Sequence, residues 1–233
     1  MKRNLISLKT AAVVCLFFWG FAQAAEPGSF FADGPKGAKA VALTFDDGPG
    51  PYTEKILEIL QKYGVTATFF VDASQLEKRP GALKRAIDQG HEIGSHLYSH
   101  TNFYTYKNDD FAAQLEKEID SSEAVFEKTL GFQPKILRMP HGYVRKWVKE
   151  AAGKRGYVLV NWSFGCDWQK MSADEMAAGY IRSIKPGAIF LFHDGGKGRQ
   201  TTVEILPKII EKIQKNGYKI LSVSELLGLD TAR

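Results

Sequence analysis

From Val41 onward the chain alternates short apolar runs with longer amphipathic ones. The apolar runs are "VALTF", "ATFFV", "HEIGSH", "KILRMP", "YVLVNW", "AIFLFHD" and "YKILSV". Between them, apolar residues recur every three or four positions over 53–63, 76–89, 109–130, 144–155, 173–184 and 201–216, the period of an amphipathic helix. Gly64, Gly90, Gly131, Gly156 and Gly217 follow five of these segments as helix stops. Strands apolar on both faces, alternating with helices, predict an α/β fold with a parallel sheet covered on both sides. A closed or nearly closed barrel of about seven parallel strands and an open doubly wound sheet both fit this pattern. No linker, low-complexity tract or repeat interrupts it, so residues 38–233 read as one domain. Residues 25–37 read as a short, loosely held lead-in.

The first 24 residues have a different character. Lys2 and Arg3 precede an apolar run over 11–21, and Ala22-Gln23-Ala24 offers a small-residue cleavage site. This is the pattern of a secretory signal peptide, with a retained N-terminal anchor as the alternative. It predicts an exported protein of the periplasm, cell envelope or extracellular space, with no stable membrane span after cleavage. The whole chain of 233 residues carries 31 Lys and Arg against 26 Asp and Glu, a net charge of +5. Three of those bases lie in residues 1–24, which hold no acid, so the mature part has 28 against 26 and a net +2. Near-neutral charge without a basic, aromatic-interleaved run argues against a nucleic-acid partner. Cys166 is the one thiol outside the signal segment, so no internal disulfide is expected. An ordinary core must supply the stability, and a monomer is expected.

The polar residues collect where the predicted strands end. "TFDDGP" supplies Asp46 and Asp47, and "GSHLYSH" supplies His96 and His100. "RMPHG" supplies Arg138 and His141, "CDW" supplies Asp167 and Trp168, and "FHD" supplies His193 and Asp194. In parallel barrels the C-terminal rim is where side chains from different strands converge on a substrate. Four of the five histidines fall on this rim, and His91 does not. On a helical turn, His96 and His100 would face one side, because positions i and i+4 are neighbours. Two ligands do not hold an ion, and a surface turn is the alternative reading of that stretch. An aspartate from the first strand end completes a two-His, one-carboxylate set suited to a divalent metal. One of the paired aspartates can then bind the ion while the other faces its water. "DDGP" taken alone also reads as a simple turn.

With these motifs, the chain from about residue 38 resembles the NodB-like polysaccharide deacetylases, carbohydrate esterase family 4. "TFDDGP" matches that family's first motif intact. "GSHLYSH" matches the second, with Leu97 where Ser or Thr is usual. "RMPHG" matches the third, with His141 in the aromatic slot, and "CDW" keeps the Asp-Trp of the fourth. "IFLFHD" matches the fifth. The resemblance implies a distorted (β/α) barrel and a metal held by Asp47, His96 and His100. It implies Asp46 as general base, steadied by Arg138, and His193 as general acid, oriented by Asp167. Leu191 would line the acetyl pocket, Trp168 would wall the site, and His141 would border the substrate. The cofactor is one divalent ion, zinc first, with cobalt and nickel equally suited to such ligands.

The expected substrate is an N-acetylated glycan: peptidoglycan, a chitin-like oligomer or poly-N-acetylglucosamine. A related C–N hydrolase of small amides and a non-catalytic carbohydrate-binding relative are the alternatives. Retention of both a base and an acid weighs against the second. Cys166 reads as inert packing, Trp162 as core, and Asp194 as a cap for the loop that follows it.

Overall fold

The computed structural model describes residues 25–37 and 39–230, so the expected signal segment lies outside the described residues. Its elements in chain order are β1 (Phe30–Phe31), β2 (Ala40–Gly48), α1 (Thr53–Tyr63), β3 (Thr68–Val71), α2 (Ala73–Lys78), α3 (Pro80–Asp88), β4 (Glu92–Ser95) and α4 (Phe111–Leu130). There follow β5 (Ile136–Leu137), a 3-10 turn at Pro140–Gly142, α5 (Lys146–Lys154), β6 (Val158–Val160) and β7 (Phe164–Gly165). The chain closes with α6 (Ala173–Arg182), β8 (Ile189–His193), α7 (Gln200–Lys215), β9 (Lys219–Leu221) and α8 (Val223–Leu227). The strands form one parallel sheet in the order β1-β6-β5-β4-β3-β2-β8-β7, with β9 also paired to β2. The sheet curls into a half-barrel, and among the described residues its end strands β1 and β7 do not pair.

Period-two alternation explains how one strand serves core and site together. On β2, Val41, Leu43 and Phe45 face the cluster beneath the helices, while Ala40 and Ala42 face the barrel interior. The same interior column continues through Thr44 to Asp46. On β8, Phe190 and Phe192 join the outer cluster and Ile189 the inner one, which leaves His193 on the interior register. Under the helices, Phe45 stacks on Phe69 at 5.2 Å and on Phe192 at 5.5 Å, and Tyr180 stacks on Phe192 at 4.2 Å. Tyr180 Oη also donates to the Leu191 carbonyl at 2.6 Å and accepts from the Cys166 N–H, tying β7 to β8.

Three features differ from the sequence reading. The lead-in is not loose: Phe30 and Phe31 pair with Leu159 and Val160, and the Gly28 N–H donates to the Tyr157 carbonyl at 2.8 Å. The helix expected over 76–89 is two helices, because Pro80 opens α3 and forces Arg79 out of helical geometry, with φ −139° and ψ 57°. The curled parallel sheet of the expected barrel also carries, among the described residues, two short strands that the pattern does not show, β1 and β7, with two residues each, too few to show a period.

Candidate active site

Asp46 and Asp47 leave the end of β2 in opposite directions because Asp47 turns to φ 69°, a left-handed conformation. Asp46 stays in the barrel interior and is 2% exposed. Arg138 Nη1 donates to Asp46 Oδ1 and to Thr44 Oγ1, each at 2.7 Å. The rest of that guanidinium is spent on the Val160 and Asn161 carbonyls at 3.1 and 2.9 Å, and it lies 3.9 Å over the Phe70 ring. Arg138 is fully buried, and a buried cation with this many directed partners is a rigid anchor for its carboxylate.

The turn below Asp47 is as tightly built. Asp194, expected to cap the following loop, is instead fully buried and accepts from Thr53 Oγ1. Burial pushes its carboxyl up to about 7. The N–H groups of Asp194 and Gly195 reach the Asp46 carbonyl at 3.2 and 3.3 Å. A Cβ at Gly195 would fall 2.0 Å from the Asp47 carbonyl oxygen, so only glycine lets these loops meet.

His96 and His100 converge, though not by the expected helical turn. The chain beyond β4 bends irregularly, with Leu97 at φ 65° and His100 at φ 57°. Leu97 is buried, and the hydroxyl at this turn comes from Ser95, whose Oγ accepts from the Leu97 N–H at 3.2 Å. Glu118 of α4 holds the loop by accepting from the Tyr98 and Ser99 N–H groups at 3.1 and 2.8 Å and from Thr101 Oγ1 at 2.9 Å. The rings of His96 and His100 meet edge to face at 5.2 Å, and His141 packs on His100 at 4.7 Å.

The Asp47, His96 and His100 ligand atoms all lie within 4.8 Å of one another. Asp47 Oδ1 sits 3.4 Å from His96 Nε2 and 3.2 Å from His100 Nε2. It is buried, yet makes no properly directed hydrogen bond. His96 Nδ1 lies 2.7 Å from the Arg138 carbonyl, which can only accept, so Nδ1 carries a proton and Nε2 is the nitrogen turned to Asp47. Burial alone would raise the Asp47 carboxyl, but the imidazoles of His100 and His96 hold it well below the usual range. An ionised oxygen facing two imidazole nitrogens is the donor set of a divalent cation. These residues fit one.

On the adjoining strand, Asp46 stands in register with His193. His193 Nδ1 meets Asp167 Oδ1 at 2.7 Å, and its backbone N–H donates to Asp167 Oδ2 at 2.8 Å. Thr202 of α7 also donates to Asp167 Oδ2 at 2.8 Å. Burial works to lower the His193 pKa, but hydrogen bonding and charge from Asp167 outweigh it and raise it. The Trp168 ring stands edge to face on His193 at 5.6 Å and is 46% exposed, so it forms a wall open to solvent. Leu191 is buried two residues before His193 on the same interior register.

The structure thus brings together all ten residues singled out from the sequence: Asp46, Asp47, His96, His100, Arg138, His141, Asp167, Trp168, Leu191 and His193. Burial raises the Cys166 thiol pKa, so it is not poised as a nucleophile. His91 lies at the opposite end of β4, where its Nδ1 accepts from the Ala67 N–H. Sequence reasoning missed Thr44, Thr202 and Glu118. Glu118 had a signal: it is an acid on the buried stripe of α4, between Leu115, Ile119 and Ser122.

A polysaccharide deacetylase family profile matches residues 33–160. The chain is 36% identical to a peptidoglycan-N-acetylglucosamine deacetylase of Bacillus cereus over 197 residues, 83% of this chain and 90% of that one. It is 30% identical to a chitooligosaccharide deacetylase of Bradyrhizobium over 204 residues, 82% of this chain and 91% of the relative. A crystal structure of a peptidoglycan N-acetylglucosamine deacetylase superposes with a TM-score of 0.80 at 32% identity, covering 88% of this chain and 95% of the other. With a family profile over more than half its length and relatives matched nearly end to end, the chain belongs to the polysaccharide deacetylase family.

Proposed function

We propose that the protein is an exported, divalent-metal-dependent hydrolase that removes N-acetyl groups from an N-acetylglucosamine-type polysaccharide. The observation that carries this reading is the Asp46–His193 pair. The two stand in register on adjacent strands, each fixed by a buried partner of opposite charge, beside the Asp47, His96 and His100 set. A binding protein gains nothing from so placing a base and an acid.

Asp47, His96 and His100 would hold the ion, which when bound polarises the acetamide carbonyl and acidifies a water towards a pKa of about 7. Arg138 occupies Asp46 Oδ1, so Oδ2 is free to take the proton of the attacking water. Arg138 also fixes Asp46 in one orientation. A backbone N–H near His141 would donate to the carbonyl oxygen as it gains charge. His193, its Nδ1 held by Asp167, directs Nε2–H at the sugar nitrogen and protonates it as the C–N bond breaks. Acetate and a free amine result. Leu191 gives the acetyl methyl an apolar seat, and Trp168 and His141 flank the sugar.

Export rests on residues 1–24, whose basic start, apolar run and small-residue site precede the domain. Zinc is the expected ion, with cobalt and nickel compatible. The test is acetate release by the purified protein from peptidoglycan, chitin oligomers and poly-N-acetylglucosamine, before and after chelation. Release that stops on chelation and returns with added ion is expected. Undiminished turnover in metal-free protein, or no release from any of the three, would overturn the reading.

A further inference from the structure

On the β6 side of the rim lies a cavity of about 410 Å³ lined by Phe30, Tyr104, Arg145, Lys146, Lys149 and Asn161, reaching Gly142. Gly142 follows His141, whose ring packs on His100, so the cavity begins one residue from the candidate active site. Its charge is one-sided: three cations and no acid. Arg145 lies 5.1 Å over the Tyr143 ring and 5.8 Å over that of Tyr104, and Lys149 lies 5.1 Å over Phe30. Among the described residues neither Arg145 nor Lys149 makes an ion pair, and Lys146 has only the exposed Glu150 at 3.8 Å. These cations do not serve their helix, because they cluster at its N-terminal end, where acids rather than bases are stabilising.

Two further features suit a sugar. Tyr104 and Phe30 are 55% and 36% exposed, and they offer apolar ring faces to a pyranose. Asn161 Oδ1 is buried without a partner and can accept from a hydroxyl or N–H. The sequence shows no such cluster, because the fold must bring residues 30, 104, 145–149 and 161 together.

We infer that this cavity is a subsite for a carboxylate carried by the glycan next to the N-acetylated sugar being hydrolysed. Resting on the deacetylase reading, it makes the substrate an anionic glycan of the peptidoglycan kind and not a neutral chitin-like one. The carboxylate belongs either to the neighbouring sugar or to a peptide attached to it, and both present the same anion to Arg145 and Lys149.

The test compares the metal-loaded protein with its R145Q/K149Q variant on three substrates: peptidoglycan strands with their peptides, the same strands freed of peptide, and a neutral chitin oligomer of matched length. On the anionic strands the variant should show a roughly tenfold higher KM at nearly unchanged kcat, the effect of losing charge-assisted contacts. Its kinetics on the neutral oligomer should match those of the unaltered protein. Added salt should raise KM on anionic strands for the unaltered protein and much less for the variant. Because a peptide is joined through the sugar's own carboxylate as an amide, removing it frees that carboxylate. An effect confined to peptide-free strands assigns the anion to the sugar, an effect confined to peptide-bearing strands assigns it to the peptide, and an effect on both shows that the subsite takes either. Equal changes on neutral and anionic substrates, or no change on any, would overturn the subsite. Calorimetric binding of the anionic strands to both proteins, without turnover, judges the subsite even if no acetate is released, a result that would sink the deacetylase reading alone.

Discussion

Asp46 and Asp47 are neighbours in the chain with opposite surroundings. Asp46 has a guanidinium at 2.7 Å, whereas Asp47 faces two imidazole nitrogens. Asp47→Asn should therefore lose the metal, since a neutral amide is a poor ligand. Asp46→Asn should keep the metal and lose about 10²–10⁴ in rate, the range for removing a general base. Metal content and turnover measured together on both variants decide this, and metal loss confined to Asp46→Asn would reverse the roles. The His193 pair gives a pH prediction. Asp167 raises the His193 pKa against burial, so the acid form persists to higher pH, and activity falls as pH climbs through that value. In Asp167→Asn burial acts unopposed, so the alkaline limb of kcat/KM should move to lower pH with a reduced maximum. An unmoved limb would mean that another group sets it. All of these residues were legible in the sequence because short motifs carry them. Of their supports, Thr44 stands inside "TFDDGP" but nothing in the motif shows its bond to Arg138, and Thr202 was not legible, because a single threonine on a helix has no pattern to distinguish it.

Helix α4 does more than cover the sheet. Its Glu118 is 4% exposed and accepts four hydrogen bonds from three residues of the loop that sets His100: the Tyr98 N–H, the N–H and hydroxyl of Ser99, and the Thr101 hydroxyl. Glu118→Ala should cost about 1–3 kcal/mol, the scale for removing a charged acceptor from part-buried donors, and should weaken metal affinity through His100. Thermal unfolding and metal titration would check both effects, and a destabilised variant with unaltered affinity would confine Glu118 to stability. Segment identity was legible wherever period and length sufficed, as in α1, read at its true bounds. The break at Pro80 was also visible, since the residue before a proline avoids helical geometry. So was α8, whose Ser222 and Glu225 form a capping box that the strand-like "YKILSV" overshadowed. The His96–His100 bend was not legible. Two residues at positive φ, one of them a leucine, obey no local preference and are held there by tertiary contacts.

Taken whole, the described residues form a curled sheet whose end strands do not meet. β2 is paired on both sides, with β3 and β8, and also meets β9, whereas among the described residues β1 and β7 end the sheet and each has one neighbour. Stability is unevenly spread in such a sheet, and local opening starts where pairing is one-sided. Amides of β1, at Phe30 and Phe31, should exchange with solvent by local opening, and those of β2 only by global unfolding. Hydrogen exchange resolved by residue would measure this, and equal protection of both strands would contradict it. Asp46 and Asp47 ride on the best-protected strand, while Phe30, on the frayed edge, lines the anion cavity. Gentle warming should therefore loosen the hold on the polymer before it disturbs the reacting groups. Below the melting transition, KM should climb with temperature while kcat keeps rising.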